Sequence, residues 1–120
     1  MKKLGILVLS LAAFATSVAE TLELDLNLFL NNQLVKSQVV KTEDGKMHTV
    51  TADEVIKFDV TPTLNDDIVT LTSVMHKYEN GAYNKFQEPK LMVKLDEPAT
   101  IEVGTEGVAV YKIQITAKKI

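Results

Sequence analysis

The sequence predicts an all-β fold, a single-domain antiparallel β-sandwich of about eight or nine short strands over residues 20–120. Apolar and polar residues alternate with a period of two along most of this region, and no window within it has helical periodicity. Turn-forming residues recur roughly every 8 to 12 residues, a spacing that is typical of sandwiches and barrels. Such alternation buries one side of each extended segment in a shared core.

Nine segments are predicted to be strands, the sixth of them without clear alternation. In chain order they are 20–30, 33–42, 47–51, 54–61, 68–78, 83–87, 90–95, 99–103 and 108–117. The first has leucine at every second position and is followed by Asn31-Asn32, a pair that tolerates positive φ in a turn. The second is rich in valine and leads to Asp44-Gly45, a hairpin signal that precedes the short third strand.

Turn residues also separate the later strands. The fourth alternates apolar and polar residues, and the segment 62–67 is predicted to end it. The fifth places four residues on one face: Val69, Leu71, Ser73 and Met75. Asn80-Gly81 closes a hairpin with the sixth strand, which ends before Pro89. Asp96-Glu97-Pro98 and the segment 105–107 mark the last two turns.

The first 19 residues are predicted to be a secretory signal peptide. Lys2 and Lys3 give it a positive start, residues 5–14 are apolar, and residues 17–19 end it with small side chains. The apolar run is shorter than the roughly 20 residues that a membrane-spanning helix requires. We expect cleavage before Glu20, no membrane span in the mature chain, and export to the periplasm of a Gram-negative bacterium.

Charge and composition narrow the class of partner. The chain has 13 lysines, 16 acidic residues, no arginine and no cysteine. Cleavage would remove Lys2 and Lys3 but no acid, so 11 lysines and 16 acids would remain, a net charge of −5. Nucleic-acid sites depend on arginine and a basic surface, so we expect no nucleic-acid partner. An exported domain without disulfides favours the bacterial periplasm over a eukaryotic secreted domain.

The sequence contains a possible internal repeat. Val40 aligns with Val93 and Val50 with Val103, each pair flanking an acidic turn, and Lys57 aligns with Lys112 after a two-residue shift. Chance similarity between alternating strands explains the match as well as duplication does. Either origin favours two similar units packed against each other.

Two segments resemble the β-repeat motifs of bacterial secretins, the outer-membrane proteins of type II and type III secretion. PTLNDDIVTL (62–71) is similar to one secretin segment, and EPKLMVKLDEPATIEVG (88–104) is similar to another. The order of the two segments is reversed relative to secretins, and the chain has no room for the stacked domains or the membrane-inserted lip of a pore. The resemblance therefore implies a small stand-alone β module, with no known chemistry attached to it.

Residues suited to catalysis or metal binding are few. His48 and His76 are the only histidines, and neither lies in a zinc-binding motif. Ser37 and Ser73 lie within strands and lack a nucleophile elbow. Three acidic pairs fall in predicted turns, where carboxylates are usually solvated: Glu43-Asp44, Asp66-Asp67 and Asp96-Glu97. Asn65-Asp66-Asp67 offers oxygen ligands for calcium, but the EF-hand spacing and its terminal glutamate are absent, and an Asx-type turn explains the triplet. We expect no enzyme, no cofactor and no metal.

A non-enzymatic binding or protein-interaction role is therefore predicted, with another periplasmic or envelope protein as the partner. Sheet edges and hairpin tips are the expected contact surfaces. The first candidate is the hairpin that contains Tyr78, Asn80, Gly81, Tyr83 and Phe86. Its two tyrosines lie nearly opposite, so they either stack to hold the hairpin or form a recognition tip. The alternatives are an inhibitor of a protease or lysozyme, with acidic turns entering a basic cleft, and a small enzyme or metal carrier.

Overall fold

A computed structural model describes residues 20–120, and the predicted signal peptide lies outside these residues. The described part forms nine strands and no helix. In chain order the strands are β1 (Thr21–Leu30), β2 (Gln33–Glu43), β3 (His48–Ala52), β4 (Ile56–Asn65), β5 (Ile68–Glu79), β6 (Ala82–Gln87), β7 (Lys90–Lys94), β8 (Ala99–Thr105) and β9 (Ala109–Lys119). The all-β prediction is confirmed, and each predicted strand is present, with its bounds shifted by a few residues.

Two antiparallel sheets make up this part of the chain. One has the order β2-β1-β9-β8, and the other has the order β3-β4-β5-β6, with β7 also paired to β5. Neighbours in each sheet are consecutive in sequence, apart from β9 beside β1 and β7 beside β5. The chain crosses between the sheets twice, from β2 to β3 and from β7 to β8. The fold is therefore an antiparallel sandwich in which the first and last strands pair within one sheet, and β6 and β7 pair with successive parts of β5 in the other.

The core lies between the sheets and follows the period-two pattern of the sequence. Leucines of β1 alternate with half-buried polar residues and form one wall, and Phe58 on β4 is the largest fully buried side chain. On β5 the predicted inward face is confirmed, because all four of its residues are buried. Burial of each large aliphatic side chain contributes about 1.5–3 kcal/mol, so alternation alone supplies a core without disulfides.

The prediction that the segment 62–67 ends the fourth strand is wrong, because β4 continues to Asn65. Pro62 is buried within it and lies opposite Leu71. The neighbouring strand β3 begins at His48, which pairs with Val60, so no ladder reaches Pro62 from that side. A missing N–H is harmless there, since proline is tolerated where a strand is locally at an edge.

The two halves of the described chain repeat one arrangement. In the first half, β1 pairs with β2 and β3 pairs with β4; in the second half, β5 pairs with β7 and β8 pairs with β9. The halves then join by equivalent pairings of β4 with β5 and of β9 with β1. Each half contributes strands to both sheets, which explains why neither half has a separate core.

Backbone hydrogen bonds outside the ladders repeat in the same way. The N–H of Asp44 donates to the Glu20 carbonyl at 2.9 Å. At the equivalent place the N–H of Leu95 donates to the Asp67 carbonyl at 3.0 Å. Three further equivalent pairs of bonds are Gly45 to Pro62 with Asp96 to Ala117, Lys46 to Glu43 with Glu97 to Lys94, and Asn31 to Val110 with Tyr78 to Val55. The internal repeat is thus a structural property of the fold.

The predicted register of the repeat is wrong by two residues in its first part. The structure matches Val50 with Ile101, because Val50 lies opposite Phe58 and Ile101 lies opposite Ile113. Val50 was aligned instead with Val103. A shift of two residues keeps the same strand face inward, so the alternation does not distinguish the two registers, and the matching acids favour the one that the structure does not have. The later match of Lys57 with Lys112 agrees with the structural register.

Candidate functional site

Four hairpin turns lie at the same end of the sandwich, and we call this the hairpin end. They connect β1 to β2, β3 to β4, β5 to β6, and β8 to β9. The two crossings between sheets, the β4–β5 turn and Ile120 lie at the other end, since neighbouring strands are antiparallel. The Ile120 N–H donates to the Thr21 carbonyl at 3.2 Å, so both ends of the described chain are adjacent there.

The hairpin of β5 and β6 is longer than its counterpart in the first half. In the first half, Leu30 pairs with Gln33 and only two turn residues follow. In the second half, Lys77 pairs with Asn84 at the equivalent position. The ladder then continues for two more pairs, Tyr78 with Tyr83 and Glu79 with Ala82. The predicted aromatic hairpin is thus an extension of about 7 Å beyond the repeated fold.

The hairpin of β8 and β9 carries an extension of the same length. In the first half, the three-residue turn starts directly after Ala52 pairs with Ile56. In the second half, Val103 pairs with Tyr111, and two further pairs follow before the turn: Gly104 with Val110 and Thr105 with Ala109. Both extensions therefore belong to the second half, and both project at the hairpin end.

A cleft of about 370 Å³ lies between the two extended hairpins. Its lining includes Lys77, Glu79, Phe86, Val103, Val108 and Tyr111. The rings of Phe86 and Tyr111 lie 5.2 Å apart, and both pack against the core. Lys77 Nζ lies 5.6 Å from the Phe86 ring centroid and 3.5 Å from Glu79 Oε2. The cleft thus has an aromatic floor and one wall with a paired charge. We call it the interhairpin cleft.

Two free sheet edges face this cleft. Among the described residues, β8 pairs only with β9, and β6 pairs only with β5. The β6 edge is interrupted by a bulge at Phe86, and Pro89 follows two residues after the strand ends. Bulges and prolines block the addition of a further strand, so β8 is the more open of the two edges.

The two tyrosines of the predicted hairpin make contacts within the protein. Tyr78 and Tyr83 are half-buried and lie in an edge-to-face arrangement, with ring centroids 5.1 Å apart. Tyr83 Oη accepts a hydrogen bond from the Glu54 N–H at 3.0 Å. Glu54 has a positive φ of 61° in the β3–β4 turn. The pair therefore braces the long hairpin against its neighbour, which favours the structural role that the sequence left open.

The other members of the predicted hairpin have different environments. Asn80 and Gly81 are exposed at the tip, both with positive φ, as the Asn-Gly signal predicts. Phe86 is half-buried and packs against the core, pointing into the interhairpin cleft. Only the tip and the Phe86 side are therefore available for contact.

The structure does not bring the two histidines together. His48 lies opposite the buried Val60, whereas His76 lies on the outer face of the same sheet. His76 Nδ1 has no hydrogen-bond partner within residues 20–120 and lies 3.9 Å from Asp59 Oδ2. Asp59 Oδ1 also accepts a 2.6 Å hydrogen bond from Thr49 Oγ1. No group of three potential metal ligands occurs among these residues.

The serines and acidic pairs have structural surroundings. Ser73 is buried, and its hydroxyl donates to the Pro89 carbonyl at 2.7 Å. Ser37 is exposed and donates to Asn27 Oδ1 at 2.7 Å. All three acidic pairs lie at the end opposite the hairpin end, where Asp44 Oδ1 accepts the Leu64 N–H at 2.8 Å. None of these groups lines the interhairpin cleft.

Sequence reasoning missed the β8–β9 side of the cleft. Val108 at the tip of that hairpin is 77% exposed, the largest exposed fraction among the large apolar residues of the described chain. The sequence does contain a sign of the extension: Ile101 and Ile113 are separated by four more residues than the equivalent Val50 and Phe58. This difference can be seen only once the structural register is known.

No protein-family model, curated protein or solved structure matches the chain. Within residues 20–120, no helix is long and apolar enough to cross a membrane.

Proposed function

We propose that the mature chain is an exported, non-enzymatic interaction protein of the periplasm, and that it contacts another envelope protein through its hairpin end. The main support is the location of the departures from the internal repeat. The two hairpin extensions add little to the shared core, yet both border one cleft. Residues that the fold does not need are the natural place for a binding surface.

The predicted aromatic hairpin remains part of the proposed contact surface, but its two tyrosines are no longer the contacting residues. Tyr78 and Tyr83 support the hairpin, while the contact is made by its tip and by Phe86 together with Val108 of the neighbouring hairpin. The export and the resemblance to secretin segments stay predictions, and both are compatible with an envelope partner.

Site-specific photo-crosslinking in living cells tests the proposal. A photoreactive residue at Asn80 or Val108 is expected to give a discrete adduct with a second protein. The same residue at Met92, which is 69% exposed on β7, is the matched control and is expected to give none. Adducts from Met92 alone, or from no position, would contradict a contact at the hairpin end.

An inhibitor of lysozyme or a protease is the second candidate, supported by a different surface. The three acidic pairs converge at the end opposite the hairpin end, which could approach a basic enzyme cleft. Inhibition of lysozyme by the mature protein at low salt, weakened at high salt, would support this candidate. Lysozyme activity that is unchanged at every salt concentration would exclude lysozyme as the target.

A further inference from the structure

We propose that the interhairpin cleft binds an extended segment of the partner protein, which adds a strand to the free edge of β8 and alternates apolar and basic residues. This inference rests on the proposed function and specifies the chemistry of the partner. It combines three observations: an unpaired strand edge, two aromatic rings beside that edge, and two exposed glutamates on β8 and the turn that follows it.

The unpaired edge of β8 suits a partner segment whose main chain is extended. Among the described residues β8 is paired on one side only, and residues 103–105 at its end line the cleft. An extended peptide satisfies such backbone groups by pairing with them, as in other cases of strand addition. The seven residues of β8 set the length of the bound segment at about five to seven residues.

The side chains of β8 then define the side chains of the segment. Ile101 and Val103 point between the sheets, whereas Thr100 and Glu102 point outward. Alternate residues of an added strand would lie beside these two faces, because side chains alternate across a strand. One set faces Val103 and Phe86 and is therefore apolar.

The outward set faces negative charge. Glu102 on β8 and Glu106 at the hairpin turn are both exposed. Lys112 on β9 lies opposite Glu102, but its Nζ lies 4.9 Å from the Phe29 ring centroid and 3.5 Å from Asn32 Oδ1, and it forms no ion pair with Glu102 within residues 20–120. Neither residue lines the interhairpin cleft itself; both line an adjacent cleft of about 620 Å³ on the other side of β8, next to Asn31 and Asn32. Lysine or arginine at alternate positions of the segment complements these carboxylates, which favours a basic partner over a neutral or acidic one.

A defined peptide tests the proposal directly. The probe is fluorescent acetyl-Lys-Val-Lys-Phe-Lys-Val-Lys-amide, and its binding to the mature protein is measured by fluorescence polarisation. We expect saturable binding that weakens between about 20 and 200 mM salt, because exposed charge pairs are screened. The charge-reversed peptide, with glutamate for lysine, is expected to bind at least about tenfold more weakly. Equal affinity for both peptides would overturn the proposal.

Backbone methylation distinguishes strand addition from simple charge attraction. Two versions of the probe are N-methylated at alternate residues, one at the odd and one at the even positions. In an added strand only one set of N–H groups points to β8, so one version is expected to lose binding and the other to keep it. Equal binding by the two versions would overturn the strand-addition model.

Substitutions locate the site, and the paired glutamate changes do so without disturbing the core. Glu102→Gln with Glu106→Gln is expected to weaken probe binding by about tenfold or less, as rim charges usually do. The control is Asp96→Asn with Glu97→Gln at the opposite end, which is expected to leave binding unchanged. Phe86→Ala should also weaken binding, and Phe86→Leu, which keeps an apolar floor, should retain most of it. Equal effects of the two double variants would contradict the assignment to β8.

The outcomes separate this inference from the proposed function. Crosslinking at Val108 without probe binding would overturn the basic strand and leave an interaction at the hairpin end. A dimer of the mature protein at micromolar concentration, abolished by Glu102→Gln with Glu106→Gln, would also overturn it, because a second copy would then occupy the cleft.

Discussion

At the scale of single residues, a few positions have requirements that only one side chain meets. Gly104 has a φ of 139°, and a Cβ at this position would lie 2.1 Å from the Ala109 carbonyl oxygen. Gly81 also has positive φ, but nothing lies within 4 Å of its would-be Cβ. The first glycine is needed for space and conformation, and the second for conformation alone.

Gly104→Ala is therefore expected to destabilise the protein more than Gly81→Ala. We expect a loss of at least about 2 kcal/mol for Gly104→Ala, because backbone strain and a backbone clash combine. Gly81→Ala should cost about 1 kcal/mol, the ordinary penalty of left-handed backbone. Urea unfolding of both variants measures the difference. Similar losses would show that the close approach at Ala109 relaxes without cost.

Ser73 makes the second residue-level prediction. Its hydroxyl and its N–H both donate to the Pro89 carbonyl, at 2.7 and 3.0 Å. Ser73→Ala removes one of these bonds and leaves the carbonyl satisfied, so we expect a loss of about 1 kcal/mol. Ser37→Ala, at an exposed hydrogen bond, is the control and should change stability by less than about 0.5 kcal/mol. Thermal unfolding in which the Ser73 variant equals the native protein would contradict the prediction.

At the scale of elements, period-two alternation was enough to predict strands, and turn pairs were enough to separate them. Four of the five leucines of β1 are buried as predicted and Leu30 is half-buried, and Asn80-Gly81 forms the expected tip. Pairing partners were harder to predict, because they depend on contacts distant in sequence. Pro62 shows this, since its place in β4 is permitted only because β3 begins beside Val60. Only one side of the candidate site, the β5–β6 hairpin, could be predicted. The cleft also requires the β8–β9 hairpin, and the sequence does not show that the two hairpins lie side by side.

Tyr83→Phe tests the brace between two elements. The change keeps the ring pair with Tyr78 and removes the acceptor for the Glu54 N–H. We expect a loss of about 0.5–1.5 kcal/mol and faster hydrogen exchange at the Glu54 amide. Tyr78→Phe leaves this hydrogen bond intact and should not change exchange at Glu54. NMR-detected exchange that is unaltered in the Tyr83 variant would show that the bond does not hold the β3–β4 turn.

At the scale of the whole molecule, the internal repeat makes the order of the two halves interchangeable. The β4–β5 turn joins Asn65 to Ile68 through two residues. At the equivalent place, Ile120 directly after β9 lies close to Thr21 at the start of β1. The sequence suggested the repeat but not its register, because a shift of two residues keeps the same side chains facing inward and the acidic turns favour the shifted alignment.

A circular permutant tests this equivalence. One aspartate is inserted between Ile120 and Glu20, which copies the two-residue β4–β5 turn, and the chain is opened between Asp66 and Asp67. We expect the permutant to fold with the same strand pairing and to unfold within about 2 kcal/mol of the parent, since exposed turns tolerate new termini. Circular dichroism and urea unfolding provide the measurement. A control opened between Phe58 and Asp59, inside β4, should not fold.

The adjacency of Thr21 and Ile120 also determines how the protein can be attached to a surface. Because the sequence has no cysteine, one thiol added after Ile120 gives a unique point for chemical immobilisation on a sensor chip. Both extended hairpins then point into the solution, at the far pole of the molecule.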